Sequence, residues 1–192
     1  MNKISLIIPH LDLDDTRDAL KKCLLSLKAT KESFELIIVL DTIGYARAVN
    51  EGLEKSTGDY MFVINNDTKV LTGTLDQMLE PDAITVPLIV PEPRDYMPRC
   101  FFCIPRTIYN HFLEKDGYFY DEIFFPGYFE DDDLIKRLKR DNIEVHVSLD
   151  VKIEHEDGGG LTIKQFGEQE CYNINKKRFE EKWGIKTRDT YF

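Results

Sequence analysis

The sequence predicts an α/β fold, a central and mostly parallel sheet flanked by helices. Within the first 65 residues, three short apolar runs alternate with two segments of helical periodicity, and that alternation defines the class. The runs are 4–9 (ISLIIP), 34–40 (FELIIVL) and 61–64 (MFVI). Continuous rather than alternating apolarity is the mark of strands buried on both faces. The third run ends abruptly at Asn65-Asn66-Asp67-Thr68, which sets two amides and a carboxylate where open α/β sheets bind their ligands.

Taken in order, strand 4–9 stops at Pro9, and Asp14 or Asp15 is placed to cap a helix over 17–28. There Ala19, Leu20, Cys23, Leu24 and Leu27 recur at helical spacing. Strand 34–40 ends at Asp41, and Gly44 opens a second helix through Leu53. A βαβ unit of this length implies a parallel pair with a right-handed crossover. Residues 70–79 read as a turn and a short helix, 83–90 as a strand whose Pro87 suggests an edge or a bend, and 100–104 as a further strand. Residues 106–114 look helical, and 118–125 form an aromatic stretch. Two short strands, 143–147 and 151–153, precede three glycines and a mixed helical segment that Gly184 ends.

Composition narrows the class of partner. The chain has 192 residues and a formal charge of −10, which argues against duplex nucleic acid because phosphate backbones are bound through Lys and Arg. A nucleotide held through a metal ion stays compatible, since the ion brings its own positive charge. No apolar run approaches the roughly 20 residues that span a bilayer. The four cysteines are too few for a disulfide framework, and a cytoplasmic setting is expected.

Chemistry concentrates in three places: Asn65-Asn66-Asp67, the acidic run Glu130-Asp131-Asp132-Asp133, and His155 before Gly158-Gly159-Gly160. The acidic run opens a segment that closes with Lys136, Arg137, Lys139 and Arg140, an order that also suits a helix macrodipole. Four adjacent carboxylates exceed what capping needs, and their repulsion favours a raised pKa or a bound cation.

Together these stretches resemble a GT-A fold glycosyltransferase of family 2, of the rhamnosyltransferase-like kind. The resemblance runs from Ile4 to about Thr162. It rests on Pro9, Asp41, Gly44-Tyr45-Ala46 with Asn50 and Gly52, Gly58-Asp59-Tyr60, Asn65-Asn66-Asp67-Thr68, Tyr128-Phe129-Glu130-Asp131 with Asp133-Leu134, and His155. It implies a metal-dependent inverting transfer from a UDP-, dTDP- or GDP-linked sugar to the hydroxyl of a saccharide or another acceptor. Asp67 and His155 would ligate Mn²⁺ or Mg²⁺. Asn65 and Asn66 would lie beside the donor, Pro9 and His10 would flank its base and ribose, and Asp41 would read the base. Asp131 would be the general base and Glu130 would orient it or the acceptor. The aromatic stretch 118–128, with Arg94 and Arg99, would receive the acceptor. Only Thr42 and Ile43 separate Asp41 from Gly44, where the family usually carries a longer segment. One domain is expected, with residues 1–67 as the nucleotide half, 68–162 as the acceptor and catalytic half, and 163–192 as a helical segment and tail. Two other readings remain open: a nucleotidyltransferase-like enzyme with a two-metal site at Asp67 and the 130–133 acids, and a non-catalytic nucleotide-sugar-binding module.

Overall fold

The structure is a computed structural model that describes residues 2–30, 33–40, 44–91, 97–156 and 167–187. Its elements in chain order are β1 (Ile4–His10), α1 (Asp14–Lys28), β2 (Phe34–Leu40), α2 (Tyr45–Lys55), β3 (Tyr60–Ile64), β4 (Thr68–Thr72), β5 (Ala83–Ile89), β6 (Phe101–Pro105), α3 (Arg106–Asp116), α4 (Glu130–Asp141), β7 (Glu144–His155) and α5 (Glu168–Trp183). Among the described residues these strands form one seven-stranded sheet in the order β2-β1-β3-β6-β5-β7-β4.

The sheet is mixed rather than mostly parallel. The β2-β1-β3 half is parallel, as the βαβαβ alternation predicts. Beyond it β3 pairs antiparallel with β6, β6 with β5 and β7 with β4, and only β5 and β7 run parallel. Apolar runs report burial, which is similar for an interior strand of either direction; direction is set by connections that periodicity does not see. Three further expectations change for related reasons. Pro87 lies in an interior strand, at a register shift between Pro87 and Leu88. Residues 144–155 form one long strand across that irregularity. Thr68–Thr72 is a strand, where the sequence suggested a turn.

Helix α1 begins at Asp14, so its cap residue is Leu13, whose N–H is accepted by the Thr16 hydroxyl at 3.0 Å. Two glycines of the sequence pattern serve close packing. A Cβ on Gly52 of α2 would overlap Ile7 Cγ2, and one on Gly58 would lie 2.7 Å from the backbone nitrogen of Ser5. Both let backbone approach β1 more closely than a side chain permits.

Each face of the sheet carries its own core. Ile7, Val49, Leu53, Met61, Val63, Phe102 and Phe112 fill one; Leu6, Ile8, Cys23, Leu27, Phe62, Ile64 and Phe101 fill the other. The aromatic stretch belongs mostly to the interior, since Phe119, Tyr120 and Phe124 are buried. An acceptor platform of exposed rings over 118–128 is therefore reduced to Phe125, 43% exposed, and the half-buried Tyr118 and Tyr128.

A smaller cluster joins α5 to the segment before α4 through Phe124, Phe129, Tyr172 and Phe179. At its centre Asn175 is fully buried, and its amide nitrogen donates among the carbonyls of Phe124 (3.0 Å), Phe125 (3.2 Å) and Gly127 (2.7 Å). Asn175→Ala strands these buried acceptors and is expected to cost about 2–3 kcal/mol. Urea unfolding followed by far-UV circular dichroism measures it, and a loss within error would remove Asn175 as the clamp of this segment.

Candidate active site

The carboxyl ends of β1 and β3 lie side by side, and β4 and β7 meet just beyond them. Thr68, the first residue of β4, pairs in register with His155, the last of β7, and Glu156 N–H donates to the Asp67 carbonyl at 3.0 Å. This antiparallel pairing is what brings Asp67 and His155 together, although they stand 88 positions apart in the sequence. His155 Nε2 stands 3.2 Å from Asp67 Oδ1, yet that buried oxygen makes no aligned hydrogen bond among the described residues. Burial lowers the affinity of His155 for a proton, but its contacts with Asp67 and Cys100 outweigh burial and push its pKa up to about 10. A divalent cation bound here would displace that proton, taking the buried Asp67 oxygen and the deprotonated imidazole as ligands. The described residues hold no group of three or more His, Cys, Asp or Glu suited to a metal ion. Further ligands for such an ion would come from outside this set of described side chains.

The two asparagines are held in different ways. Asn65 N–H donates to the Cys100 carbonyl at 2.7 Å, extending the β3-β6 ladder, and its side-chain oxygen accepts the Tyr45 hydroxyl at 2.9 Å. The Asn66 amide lies 2.9 Å from Nδ1 of His10. His10 is buried, and that burial lowers its pKa despite Asp12 at 3.8 Å, so the ring is neutral near pH 7. Pro9 is the neighbouring buried residue of β1. Asp41, Arg94 and the three glycines after His155 lie outside the described residues.

The acidic run begins α4 after two consecutive non-glycine residues with left-handed backbone, Tyr128 (φ 73°) and Phe129 (φ 72°). Such conformations cost energy and persist where packing enforces them, here through the Asn175 clamp and the Phe129 cluster. The four acids then divide. Asp133 is buried and structural: Arg137 Nε donates to it at 2.8 Å, Trp183 Nε1 at 2.9 Å, and Lys182 Nζ lies 2.7 Å away. Asp132 meets Arg99 at 3.2 Å. Asp131 accepts the Tyr120 hydroxyl at 2.8 Å and lies 3.7 Å from Arg99. Glu130 is 6% exposed, and its Oε2 makes no hydrogen bond among the described residues.

Burial, then the charge of Asp131, raises the Glu130 pKa well above the usual carboxylate range. A carboxyl whose folded pKa is raised destabilises the fold as pH climbs from the unfolded value toward the folded one, by about 1.4 kcal/mol per pH unit across that window. Glu130→Gln removes the titration while keeping the shape. It is expected to raise Tm at pH 8 and to leave it nearly unchanged at pH 4; equal shifts at both pH values would contradict a buried neutral Glu130.

Two tyrosines and an asparagine join the halves of the site. Asn50 of α2 brackets Tyr120, donating to its carbonyl at 2.8 Å and accepting its N–H at 2.9 Å. The Tyr120 ring packs 6.0 Å from that of Tyr45, which bonds Asn65. Burial raises the Tyr120 pKa well above its ordinary value, so its hydroxyl stays a donor to Asp131. Tyr45 and Asn50 stand in the sequence pattern, but their reach to Asn65 and Tyr120 is not visible there. Tyr120 was one aromatic among many, and its selection depends on a contact across the fold.

In its architecture the chain has a GT-A-like fold. The chain is similar to the crystal structure of GalNAc-T7 with UDP, GalNAc and Mn²⁺, with a TM-score of 0.62 and 11% identity over 81% of this chain and 44% of that one. The chain thus spans less than half of that protein's length. No protein-family model matches the chain, and no curated protein matches it. No helix among the described residues is long and apolar enough to cross a membrane.

Proposed function

We propose that the chain is a metal-dependent inverting glycosyltransferase that takes its sugar from a nucleotide-diphospho-sugar. One observation carries the reading. Asp67, with a buried oxygen lacking a hydrogen bond beside His155, lies two residues after Asn65, and Asn65 is linked to Asp131 at the start of α4 by contacts through Tyr45 and Tyr120. A GT-A-like fold supports it, as does the neighbour whose crystal structure holds UDP and Mn²⁺.

Asp67 and His155 would hold the metal, which as a Lewis acid would offset the charge growing on the leaving diphosphate. Asn65 and Asn66, fixed by Tyr45 and His10, would line the donor side. Asp131 would accept the proton of the attacking hydroxyl, with the Tyr120 hydroxyl holding its Oδ1 and Arg99 standing 3.7 Å from its Oδ2. Glu130, buried and neutral, shapes the start of the helix without adding a second negative charge. Asp133 is committed to Arg137, Lys182 and Trp183, which removes one carboxylate from a two-metal arrangement.

A thermal-shift panel of UDP-, dTDP- and GDP-sugars, with and without Mn²⁺, tests the reading. One nucleotide class is expected to raise Tm by several degrees only when the metal is present, and the product anomer is expected to be inverted. No stabilisation by any donor would sink the assignment, and a retained anomer would sink its stereochemistry.

A further inference from the structure

The first turn of α4 concentrates more negative charge than it can hold without help. Asp133 is met by Arg137 and Lys182, and burial keeps Glu130 neutral. Asp131 and Asp132 remain, adjacent on the helix, with side chains only 20% and 23% exposed. Neighbouring carboxylates that both stay charged repel each other, and a cation placed between them relieves the repulsion.

Arg99 supplies that cation. Its Nη2 donates to Asp132 Oδ1 at 3.2 Å, and its Nη1 stands 3.7 Å from Asp131 Oδ2, so one guanidinium spans both acids. The residue is anchored from the opposite half of the site. It lies just before β6, where its carbonyl accepts the Tyr45 hydroxyl at 3.5 Å. The next carbonyl, that of Cys100, accepts Asn65 N–H at 2.7 Å. A planar fork that never loses its charge suits two carboxylates better than an ammonium on a flexible stem. Around Asp131 also stand the Tyr120 hydroxyl, 2.8 Å from Oδ1, and Glu130 and Asp132 on α4 itself.

We infer that Arg99 is a positioning residue for Asp131: tied by its backbone to the donor side and by its side chain to Asp132, it holds the Asp131 carboxylate charged and in place. The inference rests on the reading of Asp131 as the base that takes the acceptor proton. It gives Arg99 a task other than the acceptor contact that the family resemblance implies. Tyr120 and Arg99 approach different oxygens of Asp131, Oδ1 and Oδ2, so together they fix the plane of the carboxyl group. A base held in this way is ready before the acceptor arrives, and Arg99 acts on the reaction through it.

NMR of the side-chain carboxyls in aspartate-labelled protein tests this without donor or acceptor, the Asp131 signal being the one that Asp131→Asn removes. Arg99→Gln is expected to move the midpoint of the Asp131 titration up by about one pH unit or more. Arg99→Lys, which restores the charge, is expected to return most of that change. Asp132→Asn is expected to move the midpoint down, because a repelling charge is lost while the amide oxygen still accepts from Arg99. The second readout is release of nucleoside diphosphate from the nucleotide-sugar that binds with Mn²⁺. In Arg99→Gln the acid limb of turnover should rise with the midpoint, so that turnover falls roughly tenfold below the limb and little above it, with the donor KM near wild type. An Asp131 midpoint unmoved by Arg99→Gln, or moved the same way by Asp132→Asn, would overturn the proposal, as would an equal loss of turnover at every pH. If no nucleotide-sugar turns over, the general-base reading fails, and the NMR midpoint still decides whether Arg99 holds Asp131.

Discussion

Asp67→Ala is expected to abolish metal-dependent donor binding and to lower transfer by at least about 10²–10³-fold, the scale seen when a group stabilising transition-state charge is removed. The substitution takes away a carboxylate that faces His155, whose Nε2 lies 3.2 Å from Asp67 Oδ1. The substitution also removes the 3.2 Å contact with His155, but the backbone pairing of Thr68 with His155 is untouched, so the fold is expected to survive with some loss of stability. Calorimetry with Mn²⁺ and a nucleoside diphosphate separates the outcomes. Wild-type affinity in the variant would remove Asp67 from the metal site, and loss of binding together with loss of fold would make its role structural.

Asp131→Asn should act differently. Asparagine keeps an oxygen to accept the Tyr120 hydroxyl, so the start of α4 is preserved while the proton acceptor is lost. Turnover is expected to fall about 10²–10⁴-fold, the usual contribution of a positioned general base, with the donor dissociation constant nearly unchanged. Initial rates over a range of acceptor concentrations, beside donor titrations, make the comparison. If donor binding falls as far as turnover does, Asp131 acts on the donor or its metal instead of on the acceptor proton.

Much of the scaffold was legible. The β1-α1-β2-α2-β3 unit follows from buried runs alternating with helical periodicity, and its parallel pairing follows from the length of the connections. The acids of α4 were visible as a group, but their separate fates were not. Asp131, Asp132 and Asp133 are adjacent, yet at about 100° per residue a helix turns them toward different surroundings. One meets Tyr120, one Arg99 and one the buried Arg137 with Lys182. Repulsion among neighbours, the basis for expecting one perturbed carboxyl, is relieved by these cations for Asp132 and Asp133. Glu130, buried and beside the charge of Asp131, is the group whose pKa rises.

The C-terminal helix was the least legible part. Asn175 is an ordinary polar residue in sequence, and only the approach of α5 to the segment before α4 makes it a clamp on three carbonyls. The β4 strand was missed for the same reason, since Thr68–Thr72 gains its ladder from β7, which lies about 80 residues further along the chain.

By itself, then, the sequence determined that buried strands end in Asn65-Asn66-Asp67, that a helix opens with four acids, and that His155 follows an apolar run. Local composition settles these because burial and helix charge order are written residue by residue. The tertiary structure alone decided that Asp67 and His155 meet, that Tyr120 holds Asp131, that Asp133 is spent on stability, and that β2 is the end strand of the sheet among the described residues. Each of these depends on which distant strand or helix comes to lie alongside, and strand direction and partner choice are properties of the whole chain.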